Sequence, residues 1–148
     1  MELTGGCLCG AIRFEVTEKP ITTYYCHCSM CRKVSGSMFQ IGVTVPIEGF
    51  AFVKGEPSAY ESSPGCLRKF CSNCGSSLVN MVPGDAKLIE FQLGCLDDIE
   101  QITPEFHMHT LSQASWFDVA DGLPRYAISS PELDRIWVET EGWAAPQD

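Results

Sequence analysis

The sequence lacks long apolar runs and basic segments. No stretch approaches the roughly 18 apolar residues that a membrane-spanning helix needs, and the opening MELTGGCLCG has neither the basic nor the apolar region of a signal peptide. Ten Lys and Arg side chains stand against nineteen Asp and Glu side chains, a net charge of −9. Nucleic acid binding depends on cations that neutralise phosphates, so this charge argues against it. We predict a soluble, cytoplasmic chain that binds neither membrane nor nucleic acid.

Sustained helical periodicity is also missing. Instead, short segments that alternate apolar and polar residues, or are rich in β-branched and aromatic residues, are separated by Gly, Pro, Asn and Ser. We predict strands at residues 11–16, 21–26, 38–45, 50–55, 58–62, 67–71, 76–82, 87–94 and 106–110, and short helices at 28–34 and 131–137. The pattern favours a mainly β fold of short antiparallel strands with little helix. We expect a single domain over residues 1–148, with a flexible tail at 143–148.

The cysteines do not suit a disulfide framework. There are nine of them, an odd number, and nothing indicates an oxidising compartment. Seven fall into a pair, a triple and a second pair, whereas Cys66 and Cys95 stand alone. In a reducing environment, clustered cysteine indicates a bound metal.

The two pairs predict a closed metal site. Cys7 and Cys9 form C-x-C, which on an extended chain places both sulfur atoms on one face. Cys71 and Cys74 form C-x-x-C followed by Gly75, which can adopt the positive φ of a tight turn. Four thiolates suit a structural zinc. The alternative, a redox dithiol, would be expected in a βαβ context, which is absent.

The triple Cys26, Cys28 and Cys31 leaves one position of a tetrahedral ion unfilled, the feature that separates catalytic from structural zinc. A thiol substrate would suit that position, because the metal is thiophilic. Alternatively, the fourth ligand is internal. His27 would point away from its neighbours on an extended chain, while His107 and His109 would share a strand face. The spacing leaves five candidates open: His27, His107, His109, Cys66 and Cys95.

Four segments together resemble the CENP-V/GFA family, the glutathione-dependent formaldehyde-activating enzymes and their relatives. They are GGCLCGAIRFEV, YCHCSMCRKVSG, KFCSNCGSSL and PEFHMHTLSQASWFDVADGLPRY. The resemblance implies a zinc-built β-tent fold with two zinc sites. In this reading Cys7, Cys9, Cys71 and Cys74 hold the structural zinc, and Cys26, Cys28 and Cys31 hold the catalytic zinc.

The resemblance also implies carbon–sulfur lyase or synthase activity on a glutathione (or other thiol) adduct of a small aldehyde, such as S-hydroxymethylglutathione. Arg32 and Lys33 are the nearest cations for an anionic glutathione, with Arg13, Arg68, Lys69 and Arg125 behind them. His107 and Trp116 match a late motif of the family, and we expect them to pack or line a pocket. Asp121 is interpreted as a turn residue. The competing hypothesis is a non-catalytic zinc module of the same fold that binds a protein.

Overall fold

The computed structural model describes residues 2–81 and 87–141, in which ten strands and two α-helices form. The mainly β prediction is confirmed, whereas the predicted tail at 143–148 lies outside the described residues. The elements are β1 (Leu3–Gly6), β2 (Arg13–Val16), β3 (Thr22–Cys26), α1 (Ser29–Ser35), β4 (Gln40–Pro46), β5 (Phe50–Lys54), β6 (Ser58–Ser63), β7 (Cys66–Phe70), β8 (Ser77–Met81), β9 (Leu88–Gln92), β10 (Phe106–Met108) and α2 (Pro131–Glu141).

The strands form two sheets. The smaller has the order β1-β2-β5, and the larger has the order β10-β3-β4-β9-β8-β7-β6. All pairings between these strands are antiparallel except that of β10 with β3, which is parallel. This parallel pair departs from the predicted antiparallel arrangement, and it places Met108 beside Cys26 at the end of β3.

Strand β1 was not predicted, because its sequence LTGG contains two glycines, which weaken the β signal. The fold requires glycine at position 5 because no side chain fits there. A Cβ at this position would lie 2.4 Å from the carbonyl oxygen of Cys95 and 2.5 Å from the ring of Phe14.

The largest apolar cluster joins the two sheets. The small sheet contributes Leu3, Phe14 and Val16, and the large sheet contributes residues that include Val43 and Phe91. The rings of Phe14 and Phe91 lie 5.5 Å apart between centroids. Burial of such apolar surface, at about 25 cal/mol per Å², holds the sheets together.

A second apolar cluster surrounds the cysteine triple. Leu133 of α2 packs there with Leu88 of β9 and Met108 of β10. Helix α2 therefore covers the end of the large sheet where the triple lies. No helix in residues 2–81 and 87–141 is long and apolar enough to cross a membrane.

Candidate metal centres and the cleft between them

The four paired cysteines meet where two turns come together. Their sulfur atoms all lie within 4.8 Å of one another, with Cys7 Sγ 3.6 Å from Cys9 Sγ and Cys9 Sγ 3.8 Å from Cys71 Sγ. A tetrahedral zinc with bonds of about 2.3 Å requires sulfur–sulfur separations of about 3.8 Å. The cluster therefore fits a thiophilic ion.

Tight turns build this four-cysteine cluster. The amide of Gly10 donates to the Cys7 carbonyl at 3.1 Å, and the amide of Gly75 donates to the Cys71 carbonyl at 2.8 Å. Both glycines have the expected positive φ, 77° and 81°. The extended geometry expected for C-x-C is wrong, however. Cys7 and Cys9 follow the end of β1 in a turn, so the turn rather than strand alternation brings their sulfur atoms together.

Neutral donors surround these four sulfur atoms. The Ile12 amide donates to Cys7 Sγ at 3.2 Å, and the Asn73 side-chain amide donates to Cys9 Sγ at 3.3 Å. A hydrogen bond from the Ser76 hydroxyl and the Ser76 backbone amide lower the pKa of the Cys74 thiol to about 5. Such donors favour thiolates, which are the metal-binding form of cysteine.

The three remaining clustered cysteines are buried and lie within 4.8 Å of one another by their sulfur atoms. Cys26 ends β3, Cys28 is the N-cap of α1, and Cys31 lies in the first turn of that helix. The Cys31 amide donates to Cys28 Sγ at 3.3 Å. Among the described residues, no fourth Cys, His, Asp or Glu ligand atom joins this group. The donor set therefore fits an ion with one position left for another ligand.

Negative charge concentrates on Cys28. Hydrogen bonds from the Cys26 and Cys31 thiols lower the pKa of Cys28 to about 2, while the same contact with Cys28 raises the pKa of Cys26. Three thiols so close together do not ionise independently. A cation at the centre of the group would relieve this repulsion.

Of the predicted alternatives for a fourth ligand, Cys95, Cys66 and His27 lie outside the three-sulfur group. Cys95 Sγ donates to the Ser77 carbonyl at 3.2 Å, and burial raises the pKa of this thiol to about 11. Burial likewise raises the pKa of Cys66, which begins β7. His27, between two members of the triple, turns its ring away from them to bond His107, as expected from strand alternation.

A chain of side chains runs from His27 to the surface. His27 Nε2 lies 2.8 Å from His107 Nδ1, and His107 Nε2 lies 2.8 Å from Asp121 Oδ2. Asp121 accepts from His107 Nε2, so the neutral tautomer that makes this bond would accept at Nδ1 from His27 Nε2, and His27 Nδ1 would then be an acceptor. That buried Nδ1 finds no hydrogen-bond partner among the described residues. Burial, together with repulsion from His107 whenever that ring is protonated, lowers the pKa of His27 to about 4.

Asp121 is therefore more than a turn residue. Burial alone would raise its pKa, but hydrogen bonds from His107 and the Leu123 amide lower it to about 2. The packing role expected for His107 agrees with its burial and with the stacking of its ring on Tyr25, 4.2 Å away. Trp116 departs from that expectation, because it is 75% exposed.

His109 does not share a strand face with His107. Strand β10 ends at Met108, and His109 adopts a left-handed backbone with φ of 55°, the one positive φ of a non-glycine residue in residues 2–81 and 87–141. The strand predicted at residues 106–110 is therefore two residues too long. The His109 side chain is buried and lies close enough for its charge to lower the pKa of Cys28. Strained backbone of this kind concentrates at functional sites.

A row of buried polar residues crosses the face of the large sheet beside the triple. Arg68 of β7 pairs with Asn80 of β8, which pairs with Glu90 of β9. Directly paired residues project from the same face. Arg68 Nη1 donates to Asn80 Oδ1 at 3.4 Å, and Asn80 Nδ2 donates to Glu90 Oε1 at 2.8 Å. The row ends at the triple, with Arg68 Nη2 3.9 Å from Cys31 Sγ.

Glu90 is enclosed on several sides. The Tyr24 hydroxyl donates to its carboxylate, and a Cβ on Gly42 would lie 2.5 Å from Glu90 Cδ, so a glycine makes room for the carboxylate. Burial raises the pKa of Glu90 in spite of these donors. Burial and the charge of Glu90 raise the pKa of Tyr24 in the same way.

A cleft of about 290 Å³ opens beside Arg68. Its lining includes Val34 on α1 and Gly75, the residue after Cys74. Its lining is mixed, with the cations Arg68 and Lys69 among apolar and small side chains; the residues are Val34, Tyr60, Arg68, Lys69, Phe70, Gly75 and Ser77.

The predicted glutathione cations, Arg32 and Lys33, lie in the last turn of α1 and are not part of this lining. Lys33 is exposed, and the half-buried Arg32 has a buried Nε without a hydrogen-bond partner in the described parts of the chain. Arg68 and Lys69, which ranked behind them, occupy the cleft. Asn80 and Glu90 each have an apolar residue on either side within their strands, whereas Arg68 is followed by Lys69 and does not stand out in the sequence.

Fold and side chains together define a mainly β protein with two cysteine clusters able to hold a metal. Comparison with known proteins narrows this class. The sequence model of one family, described as glutathione-dependent formaldehyde-activating enzyme, matches residues 2–112. The chain belongs to this family, and the resemblance of its motifs is confirmed.

Individual relatives agree. A Halomonas elongata protein named "Putative glutathione-dependent formaldehyde-activating enzyme" is 31% identical over 132 residues, which cover 80% of this chain and 82% of the relative. A crystal structure of a Rhodobacter sphaeroides protein superposes with a TM-score of 0.54 at 18% identity, covering 83% of this chain and 98% of that one. At this identity the second match supports the fold alone.

Proposed function

We propose that this chain is a zinc-dependent carbon–sulfur lyase or synthase. Its substrate would be a glutathione (or other thiol) adduct of a small aldehyde, such as S-hydroxymethylglutathione. The observation that carries the proposal is the buried three-cysteine group, to which the described residues add no fourth ligand atom. Membership of the family and the named relative support the choice of glutathione and formaldehyde.

In the synthetic direction, the thiol sulfur forms a bond to the aldehyde carbon. The electron pair of the carbonyl π bond moves to oxygen, which takes up a proton, and the thiol loses one, so RSH and H₂CO give RSCH₂OH. Zinc bound by Cys26, Cys28 and Cys31 would keep the substrate sulfur as a thiolate near neutral pH. The lysis direction reverses each of these changes.

The surrounding side chains suit such a substrate. The cleft carries two cations, Arg68 and Lys69, for an anionic thiol such as glutathione. Leu133, Leu88 and Met108 keep bulk water from the triple, which strengthens electrostatic interactions within it. Arg32 and Lys33 remain candidate contacts for a substrate that extends beyond the cleft.

The second part of the proposal is a structural zinc at Cys7, Cys9, Cys71 and Cys74. Two turns far apart in sequence meet there, and the sulfur spacing matches a tetrahedral ion. Metal affinity of about 10–16 kcal/mol at such sites becomes folding free energy. The ion would hold the β1–β2 turn against the β7–β8 turn.

The direct test is an NMR assay of formaldehyde and glutathione, because the reaction also proceeds without a catalyst. Formation of S-hydroxymethylglutathione is followed by exchange spectroscopy with and without the protein. We expect acceleration that disappears in Cys28→Ser, with Cys66→Ser as a matched control outside the clusters.

Other thiols and small aldehydes follow if glutathione and formaldehyde give no signal. Absence of acceleration across the whole set would contradict the enzymatic proposal. Together with a triple that stays metal-free at saturating zinc, it would favour the non-catalytic protein-binding module instead.

A further inference from the structure

Arg68 contacts the cysteine triple and lines the cleft, and each of the three nitrogen atoms of its guanidinium has a partner. Its Nε donates to the Ser62 hydroxyl at 2.9 Å, and its Nη1 faces the side-chain oxygens of Gln40 and Asn80, each at 3.4 Å. Its Nη2 points to Cys31 Sγ at 3.9 Å. The residue is only 8% exposed.

Asn80 and Glu90 fix the orientation of this guanidinium. Asn80 gives its amide hydrogen to Glu90, so its oxygen must face Arg68. Glu90 in turn is held by the Tyr24 hydroxyl. A buried arginine locked in this way presents its fork in one direction only.

The positive charge of the Arg68 guanidinium can compensate negative charge at the cysteine triple. A divalent ion with three thiolates carries a net charge of −1, and burying an uncompensated charge is costly. Of the two cations that line the cleft, Arg68 contacts a cysteine of the triple, through its Nη2 and Cys31 Sγ. Mutation of a side chain that hydrogen-bonds to a metal ligand typically lowers metal affinity about 10–100-fold.

We propose that Arg68 is the positioning residue of the three-cysteine centre. Its guanidinium holds Cys31 in place and balances the negative charge of the metal-loaded triple, while Asn80 and Glu90 hold Arg68. This inference rests on the proposed metal-binding role of Cys26, Cys28 and Cys31, but not on any catalytic activity of the chain.

The test compares metal retention in wild type, Arg68→Met, Arg68→Lys and Lys69→Met. Each zinc-loaded protein is challenged with a chelator, and the release of its two ions is followed with a chromophoric indicator. Cys28→Ser identifies which release phase belongs to the triple, and the phase of the four-cysteine cluster is the internal reference.

We expect Arg68→Met to weaken zinc binding at the triple about 10–100-fold and to leave the reference phase unchanged. Arg68→Lys, which keeps the charge but loses the fork, should recover part of this loss, and Lys69→Met should match wild type. Cobalt-substituted Arg68→Lys should also show a shifted sulfur-to-metal charge-transfer band, a signature that loss of general stability would not produce.

Wild-type affinity at the triple in Arg68→Met, or an equal loss in Lys69→Met, would overturn the inference. If Arg68→Met does not fold, Arg68→Lys decides: affinity and band position identical to wild type would overturn it. A wild-type chain that binds one ion only would also overturn it. Failure of the aldehyde–thiol assay contradicts the proposed function alone, because none of these measurements uses catalysis.

Discussion

The two cysteine clusters differ mainly in what surrounds them. Around the four-cysteine cluster the donors are neutral, such as the Ile12 amide and the Asn73 side chain, and Cys9 is exposed. Around the triple lie ionisable side chains, with Arg68 in contact and the charges of Glu90 and His109 close by. At similar sulfur spacing, the two clusters therefore differ in their hydrogen-bond donors, which are uncharged at the four cysteines and include a guanidinium at the triple.

This contrast shows how one protein can use cysteine side chains in two different roles. Neutral donors lower the charge on sulfur without titrating, which suits a centre that must stay closed and constant. Ionisable neighbours respond to a change of charge, which suits a centre that exchanges a ligand. Four predictions test this division of roles.

The largest effect is expected for Cys71→Ser. Loss of this ligand removes metal affinity worth about 10 kcal/mol or more, which rivals the whole stability of a domain. We expect no cooperative thermal unfolding by circular dichroism, whereas Cys95→Ser, a half-buried cysteine outside the clusters, should unfold cooperatively. An unfolding midpoint of Cys71→Ser within about 5 °C of wild type would contradict a structural role.

Cys28→Ser should separate function from folding. We expect the acceleration of the aldehyde–thiol reaction to fall about 100-fold or more, since a metal ligand influences the reacting atoms by several kcal/mol. Stability should fall by only about 1–3 kcal/mol, measured by urea unfolding. If Cys28→Ser and Cys71→Ser lose folding to the same extent, the division of roles between the clusters is wrong.

His107→Leu should have an intermediate effect, and on the triple alone. The change leaves His27 Nε2 without its buried partner, which costs about 1–3 kcal/mol. We expect reduced stability in urea and faster metal loss from the triple, with the four-cysteine ion retained. Trp116→Leu, at an exposed position, is the control and should match wild type. Equal metal loss from both clusters would remove the contrast between them.

Asp97→Asn should have the smallest effect, on the side of the four-cysteine cluster. Asp97 pairs with Arg13 of β2, and both side chains are about a third or more exposed, so the pair contributes below about 1 kcal/mol. A hydrogen bond from Arg13 lowers the pKa of Asp97 from 3.8 to about 2. The stability difference between wild type and variant should therefore be present above pH 3.8 and disappear as pH falls towards 2. Because acid would release the proposed zinc, urea unfolding is compared between about pH 5 and about pH 8, where the difference should be constant; a difference that grows as the pH falls would contradict this prediction.

Local pattern explains what the sequence could predict. The strands follow from alternation and β-branched residues, and the cysteine clusters follow from short spacings, which survive in any register. Helix α1 also matched, because Gly36 ends it with a φ of 69°. The spacing of the cysteines left the role of the triple open, and the family resemblance assigned it the catalytic zinc.

The polar row was beyond such reasoning. Arg68, Asn80 and Glu90 meet only because three strands pair in one particular register, which depends on the whole core. The chain from His27 to Asp121 likewise depends on the parallel pairing of β10 with β3, which no local signal indicates. Long-range register, rather than residue type, was the missing information.

Strand β7 carries Arg68 near one cluster and is followed at once by Cys71 of the other. The two intervening residues, Lys69 and Phe70, thus determine how far Arg68 lies from Cys71 and on which face of the sheet Arg68 projects. Insertion or deletion of one residue here would turn Arg68 to the opposite face or pull Cys71 away from its turn. Over evolution this short interval should therefore keep its length while its side chains change, a constraint on spacing that homologous chains with intact clusters can be inspected for.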